Sequence, residues 1–460
     1  MKSVHIPRLM LAGTGGDCGK TLVALGLAAV WRREGIPVVP FKKGPDYIDP
    51  AWLGLASGQP ARNLDTWMMG PDVVLQSFFH NATRDGMNLI EGNRGLYDGE
   101  DAAGTHSTAE LSKLLKTPVI LVLPTVKVTR TAAAIVLGLQ SLDRNVELAG
   151  VILNRVATAR QEAIIRTSIE NHTAVPVLGA IRRVSEEILA SRHLGLVTPE
   201  EHRRSLKSIE SAAAIIAESV DLERLRSIAD NAEPLILENR TPHTGHVPRC
   251  RLRIGIFRSS AFTFYYPENL EAIERYGAVA VDVDPLKDRE LPGLDGLYIG
   301  GGFPETHASS LSENAMFRAS IARAAQRGLP IWAECAGLIF LCRSIQWQGR
   351  QYPMTGIFPA DIVLDPKPAG HGYEEAVVDG DNPFLPIGTV LRGHEFHYSR
   401  LEPAGTLNTI FRVRKGTGTG NGRDGLIYKN VVACYLHLHA LGSPSSVEGL
   451  LSAAERFREI

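Results

Sequence analysis

The sequence offers little that would staple the chain, anchor it in lipid or draw it to a polyanion. Its five cysteines, Cys18, Cys250, Cys335, Cys342 and Cys434, are odd in number and lack paired metal-ligand spacing, so neither a disulfide framework nor a zinc cage is indicated. Reduced thiols in a cytoplasmic protein are the expectation. No stretch approaches the about 18 uninterrupted apolar residues that a membrane span requires. The start, MKSVHIPRLMLAGTGGDCGKT, lacks a signal-peptide layout, because its short apolar run leads directly into a glycine-rich loop. Lys+Arg 49 against Asp+Glu 50 leaves a formal net charge of -1, so no global field favours nucleic acid or an anionic membrane. Any anionic substrate must be held locally. Internal repeats and low-complexity tracts are also missing. The nearest approach, Lys415–Gly425 (KGTGTGNGRDG), reads as a flexible turn or hairpin loop.

What is present is enough for two cores. At 460 residues, with 44% hydrophobic and 22% charged content, the chain is long enough for two globular domains. Up to about residue 180, short apolar runs at Arg8–Ala12, Val38–Phe41, Met87–Glu91, Val119–Leu123, Ala149–Asn154 and Val177–Ile181 alternate with amphipathic stretches such as Leu22–Glu34 and Thr131–Leu142. That alternation predicts an α/β fold with a mostly parallel sheet covered by helices. A helical region follows over Pro199–Ile228. The Pro, Gly, Asn and Thr content beyond it predicts a surface linker over 236–250, between domains at 1–235 and 251–460. The second half restarts the pattern, with strands expected at Leu252–Phe257, Val279–Val283, Gly296–Ile299 and Pro330–Ala333, and a helix at Pro267–Arg275. Later elements are more mixed, with Gly372–Val378 and Val431–His439 as candidate strands.

The loop GTGGDCGKT, Gly13 to Thr21, lies between a strand and a helix. Backbone N–H groups of such a loop converge on phosphate at a helix N-terminus, where the dipole favours negative charge. Gly13, Thr14, Gly19, Lys20 and Thr21 are the candidate nucleotide ligands, with Lys20 reaching the terminal phosphates and Thr21 offering a hydroxyl to Mg²⁺. The usual spacing would place a glycine at position 14, where this chain has threonine. Two acidic clusters follow at strand ends, where α/β sheets place ligands. FKKGPDYIDP carries Lys42, Lys43, Asp46 and Asp49, and IEGNRGLYDG carries Glu91, Arg94 and Asp98. Thr21, Asp46 and Glu91 form a chemically sensible Mg²⁺ set, while Lys42, Asp46, Asp49, Glu91 and Asp98 mark the phosphate and substrate end. Lys42, Lys43, Arg62 and Arg94 are candidate carboxylate partners. Asn154, in GVILNRV, is either an adenine ligand or a turn-forming asparagine.

Cys335, in PIWAECAGL, follows an apolar strand and precedes small residues, so a tight strand-to-helix turn would expose its sulfur and the helix N-terminus would favour the thiolate. Gly301 and Gly302, in YIGGGFPE, can turn backbone N–H groups toward an oxyanion. A base is then needed. His437 lies in CYLHLH with His439 two residues on, on the same face if the run is one strand, and only one of them should be the base.

GTGGDCGKT, PFKKGPDYIDP, ARNLDTWMM, IEGNRGLYDG and GVILNRV resemble, in order, the ATP domain of the cobyrinic acid a,c-diamide synthase family, which shares its fold with dethiobiotin synthetase. The displaced Gly-Thr opening of the loop is typical of that group. YIGGGFPE, WAECAGL, CYLHLH, RSSAFTFYYPENLE and RGHEFHYSRLE resemble the class I glutamine amidotransferases joined to it. The resemblance implies an ATP- and glutamine-dependent ligase with Mg²⁺ and a tetrapyrrole acid as partners, amidating the a and c acetates of cobyrinate through an acyl phosphate. It maps the nucleophile onto Cys335 and the base onto His437. Position 439 is histidine where the amidotransferase triad would have an acid, so a Cys-His dyad is the expected consequence. Pro124 and Thr125 stand where many members carry Asp and a small residue. The alternative substrates are siroheme and other sirohydrochlorin-type tetrapyrroles. A reading of another class is a P-loop regulatory ATPase with an inactive amidotransferase module. The oligomeric state is open, a homodimer being one option.

Overall fold

The computed structural model describes residues 2–184, 189, 191–192, 195–199, 201–202, 204–237 and 251–459. The chain divides into two compact units, Met1–Thr241 and Pro242–Ile460. Most of the expected linker, from residue 238 to 250, lies outside the described residues.

In the first unit seven parallel strands form one sheet: β1 (Arg8–Gly13), β2 (Val38–Lys43), β3 (Arg62–Leu64), β4 (Met87–Glu91), β5 (Val119–Pro124), β6 (Leu148–Val156) and β7 (Val177–Arg182). Their order is β3-β2-β4-β1-β5-β6-β7. Residues of β1, β4 and β5 are buried almost throughout, as strands covered on both faces must be, which is why they read as mostly apolar, with Arg8, Asn88 and Glu91 as buried exceptions. From β1 the sheet grows outward in both directions, and such a reversal opens a crevice at the carboxyl ends of the strands. Helix α1 (Lys20–Arg33) begins there. It packs closely on the helix Ser205–Ser219 because Gly26 has no side chain: a Cβ would fall 2.2 Å from Ile216 Cγ1. The helical region expected over Pro199–Ile228 is two helices, Ser205–Ser219 and Leu222–Asp230, the second capped by Asp221. Lys2–Val4 pairs with Leu235–Leu237, tying the end of the unit to its start.

The second unit is built on a ten-stranded mixed sheet. Its strands are β8 (Arg253–Phe257), β9 (Val279–Val283), β10 (Gly296–Ile299), β11 (Ile331–Glu334), β12 (Gly370–Val378), β13 (Val390–His397), β14 (Thr409–Lys415), β15 (Arg423–Tyr428), β16 (Val431–Cys434) and β17 (His437–Leu438), in the order β9-β8-β10-β11-β16-β15-β14-β12-β13-β17. The run from β9 to β16 is parallel and the remainder antiparallel. A smaller four-stranded sheet, built from Ser344–Trp347, Arg350–Pro353, Ala360–Leu364 and Ser399–Pro403, lies beside it in sequence. The single strand expected over Val431–His439 breaks after Cys434, which removes the simple two-residue alternation that would put His437 and His439 on one face. Phe257, Phe262, Phe317 and Phe340 pack with ring centroids 5.2 to 5.8 Å apart, in the same apolar core as Cys335. Each such pair adds about 0.5–1.5 kcal/mol beyond area burial, giving the cysteine turn a rigid floor.

Candidate functional site

The first site forms where β1 gives way to α1. Residues 14–19 must turn sharply, and Asp17 (φ 51) and Gly19 (φ 95) adopt left-handed backbone. Glycine is required at 19 for space as well, since a Cβ would fall 2.1 Å from Asn154 Nδ2. At Gly13 a Cβ would lie 2.2 Å from Cys18 Sγ. Lys20 Nζ donates to Gly15 O at 2.9 Å and to Arg94 O at 2.7 Å, so its ammonium is held over the loop. Thr14 is exposed and bridges Gly95 rather than facing the cavity. Asn154 Nδ2 donates to Cys18 O at 2.8 Å and Oδ1 accepts from Arg155 N–H at 2.8 Å. Its amide nitrogen therefore braces the loop while its oxygen fixes its own turn at Arg155, and the residue still lines the cavity.

That cavity, about 730 Å³, is lined by Lys20, Thr21, Lys42, Asp49, Glu91 and Arg94 among others, and reaches Arg155 and Arg182 at its far side. Its floor is a compact charge cluster. Lys42 Nζ lies 2.6 Å from Asp49 Oδ2, 3.1 Å from Glu91 Oε1 and 3.8 Å from Asp46 Oδ2. Burial alone would depress Lys42, but the Asp49, Glu91 and Asp46 carboxylates outweigh it and hold the ammonium above the ordinary lysine range. Burial raises Glu91, with Lys42 opposing, and burial followed by the Asp49 charge pushes Asp46 up to about 7. Asp46 Oδ1 accepts from Ile48 N–H and Asp49 N–H at 2.9 and 3.1 Å, capping helix α2 (Ile48–Ser57) and fixing Asp49 in its first turn.

Thr21 Oγ1 donates to Glu91 Oε1 at 2.7 Å, while Glu91 Oε2 is buried with no hydrogen-bond partner among the described residues. An orphaned carboxylate oxygen beside a hydroxyl and a phosphate loop fits a small, hard cation that completes its shell with phosphate and water. Among the described residues no group of three His, Cys, Asp or Glu side chains forms an all-protein cage. Two expectations change. Asp98 is exposed, does not line the cavity, and accepts from Gly95 N–H at 2.8 Å, so it shapes a turn rather than the phosphate end. Among the proposed carboxylate partners, Lys42 is neutralised internally, Lys43 and Arg62 are buried, and Arg94 is exposed at the cavity.

The second site lies where β11 ends. Cys335 occupies a strained turn (φ 46, ψ -96) immediately before the helix Ala336–Leu341. Contrary to the expectation of a ready thiolate, burial, followed by the Glu305 charge, pushes the thiol up, and the opposing Ala336 N–H is too weak to reverse it. Burial therefore favours the thiol over the thiolate at this turn. β11 and β16 are parallel neighbours, and Cys335 N–H donates to Cys434 O at 2.8 Å. The chain then passes Tyr435 and Leu436, whose N–H groups are held by Asp424 at 3.0 and 3.2 Å, and reaches His437. His437 packs on Gly301, where a Cβ would lie 2.6 Å from its Cε1.

The expected oxyanion glycines need a correction. Gly301 N–H donates to Phe264 O at 3.3 Å and is spent in a bridge, and Gly300 N–H donates to Tyr265 Oη at 2.9 Å. Gly302, with φ 154 and Ala261 O 2.2 Å from its would-be Cβ, is a position that only glycine fits. The dyad is also incomplete as a description, because Glu334 Oε2 lies 3.3 Å from His437 Nδ1. His439 instead faces Glu268, 3.5 Å away, and packs on Tyr266. Sequence reasoning passed over Glu334, Asp424 and His394, whose ring stacks on His437 at 4.9 Å. The one available signal was the acid directly before the nucleophile.

Comparison with known proteins covers both units. Residues 9–196 match the CobQ/CobB/MinD/ParA nucleotide binding domain, and residues 253–445 match the CobB/CobQ-like glutamine amidotransferase domain. Cobyrinate a,c-diamide synthase of Magnetococcus marinus is 40% identical, covering 96% of this chain and 95% of the relative. Those of Dehalococcoides mccartyi and Archaeoglobus fulgidus are each 38% identical, covering 99% and 96% of this chain and 100% and 96% of the relatives. With both halves matched and such relatives spanning nearly its whole length, the chain belongs to the cobyrinate a,c-diamide synthase family.

Proposed function

We propose that the protein is an ATP- and glutamine-dependent ligase that converts the a and c acetate carboxylates of cobyrinate to amides. The observation that carries this is the pairing, in one chain, of a phosphate loop facing the Lys42–Asp49–Glu91 cluster with a strained, buried cysteine whose preceding residue, Glu334, contacts a buried histidine, His437. A carboxylate is a poor electrophile at neutral pH, so it must first become an acyl phosphate. Lys20 and the loop N–H groups hold the terminal phosphates of ATP as the phosphoryl group passes to the substrate oxygen, and Lys42 holds Asp49 and Glu91 in place beneath them. Thr21, Glu91 and Asp46 would hold Mg²⁺, which neutralises phosphate charge when bound. In the other unit Cys335 attacks the side-chain amide of glutamine to form a thioester, releasing ammonia, and ammonia displaces phosphate from the acyl phosphate. We assign the ligase to the first unit, whose strand Leu235–Leu237 extends it two residues beyond the expected boundary at 235, and the glutaminase to 251–460. The four cysteines among the described residues are all free, which supports a reducing, cytoplasmic setting, and no described helix is long and apolar enough to cross a membrane.

The test supplies cobyrinate, siroheme and nickel-sirohydrochlorin separately with ATP and glutamine, and weighs the products. Replacement of two hydroxyls by amino groups on cobyrinate alone is the expected result. Amidation of a siroheme-type macrocycle instead would move the substrate, and ATP turnover without a macrocycle product would indicate a regulatory ATPase.

A further inference from the structure

The acid missing after His437 has a substitute one residue before the nucleophile. Glu334 is 1% exposed and His437 2%, and their contact is direct, Oε2 to Nδ1 at 3.3 Å. Three side-chain donors converge on this carboxylate. Trp332 Nε1–H, which can only donate, reaches Oε1 at 3.0 Å, and Tyr298 O–H reaches Oε2 at 3.3 Å. Burial, then the Glu334 charge, raises Tyr298 well above its ordinary value, so the phenol stays a donor. Asn269 Nδ2 donates to Tyr298 Oη at 3.1 Å and to Leu438 O at 2.8 Å, and its Oδ1 accepts from Ala440 N–H at 2.7 Å. One network therefore fixes Glu334, Tyr298 and the backbone that follows His437.

Resting on the amidotransferase reading above, we infer that Glu334 is the positioning acid of the glutaminase, completing a Cys335–His437–Glu334 relay in which the acid precedes the nucleophile. The carboxylate holds the proton of His437 on Nδ1 and leaves Nε2 as the base. In acylation the Cys335 sulfur bonds to the glutamine amide carbon as its proton passes to Nε2. The carbon–nitrogen bond then breaks and that proton departs on ammonia. In deacylation a water gives a proton to Nε2 as its oxygen bonds to the thioester carbon, and the proton returns to the leaving sulfur, freeing glutamate. Glu334 stabilises the imidazolium in both steps. The titratable groups shown against His437 are Glu334 on β11 and His394 on β13, with Tyr266, His439 and Glu268 beyond His394. Burial, then the His437 charge, holds His394 well below its ordinary value, so His394 is no counter-ion for the base, and Glu334 is the carboxylate in direct contact with it.

The test compares Glu334→Gln and Glu334→Asp in the full-length enzyme. Rates with glutamine are normalised to rates with ammonium, which measures folded, ATP-competent protein. Glu334→Gln presents an amide N–H to Nδ1 and favours the wrong tautomer, so its normalised glutamine rate should fall about 10³- to 10⁴-fold. The acid limb of glutamine kcat/KM should move to lower pH, because the imidazolium loses its counter-charge. Glu334→Asp, shorter but charged, should recover at least about tenfold of the loss. The inference is overturned if Glu334→Gln loses less than about threefold, if the acid limb stays in place, or if Glu334→Asp is as defective as Glu334→Gln. Absence of ammonium-dependent synthesis in the wild type would instead overturn the ligase reading beneath it.

Discussion

Lys42 Nζ and Asp49 Oδ2 lie 2.6 Å apart on the floor of the nucleotide cavity, with the lysine side chain 2% exposed. An ammonium so deeply placed is tolerable only because Asp49, Glu91 and Asp46 surround it, and the carboxylates are tolerable only because of the ammonium. Lys42→Met leaves these acids buried without a cation. The expected cost is about 3–5 kcal/mol in urea unfolding, together with loss of ATP-dependent synthesis. Unchanged stability would mean that the cluster is hydrated and its mutual dependence illusory.

Asp46 gives the cluster a pH signature. Its folded value is raised to about 7, so its stabilising contribution is full below the unfolded value near 3.8 and is lost as pH rises through about 7. Asp46→Asn retains an acceptor for Ile48 N–H and Asp49 N–H but stays neutral. Relative to the wild type the variant should gain on the order of 1 kcal/mol or more between about pH 5 and about pH 8. A stability difference that is flat across that range would count against a raised Asp46.

Gly19→Ala tests the loop geometry. It imposes a side chain at φ 95 and drives a methyl into Asn154, with an expected cost of about 1–3 kcal/mol and at least about tenfold weaker ATP binding by calorimetry. Adding Asn154→Ala should restore space but not backbone freedom, so only part of the loss should return. Full recovery would show that the left-handed backbone contributes nothing.

Cys335→Ser should abolish glutamine-dependent synthesis by about 10³-fold or more while synthesis from ammonium salts continues. Because burial pushes the thiol up, alkylation of Cys335 by iodoacetamide should be slow near neutral pH and accelerate well above pH 9. Fast labelling at pH 7 would contradict the protonated resting state.

The parallel strands were legible because strands buried on both faces read as mostly apolar runs; β4 and β10 coincide with the runs at 87–91 and 296–299. In the antiparallel half of the second unit β12 matches the candidate strand at 372–378, but its neighbours were not legible. β14 (TIFRVRK) and β15 (RDGLIY) interleave charges and glycine with apolar residues, so they look like loop until paired. The glycine-rich stretch between them was read as a turn or hairpin loop, and there Thr417 N–H and Gly418 N–H donate to Glu395. Residues supplied by one contiguous loop, such as Lys20 and Thr21, could be placed from spacing alone. Glu334 could not, because its meeting with His437 is created by strand pairing between β11 and β16, far apart in sequence. Gly301 misled for the same reason: its N–H is taken by Phe264, a partner that no local pattern announces.

The central claim is that ATP activates a carboxylate that ammonia from Cys335 chemistry then converts to an amide. The most direct measurement uses cobyrinate carrying heavy oxygen in its acetate carboxylates, with ATP and glutamine, and follows the label by mass spectrometry. An acyl phosphate predicts that each amide formed delivers a labelled oxygen to inorganic phosphate, with ADP as the other product. Amide formation with unlabelled phosphate, or with the label in AMP, would contradict it.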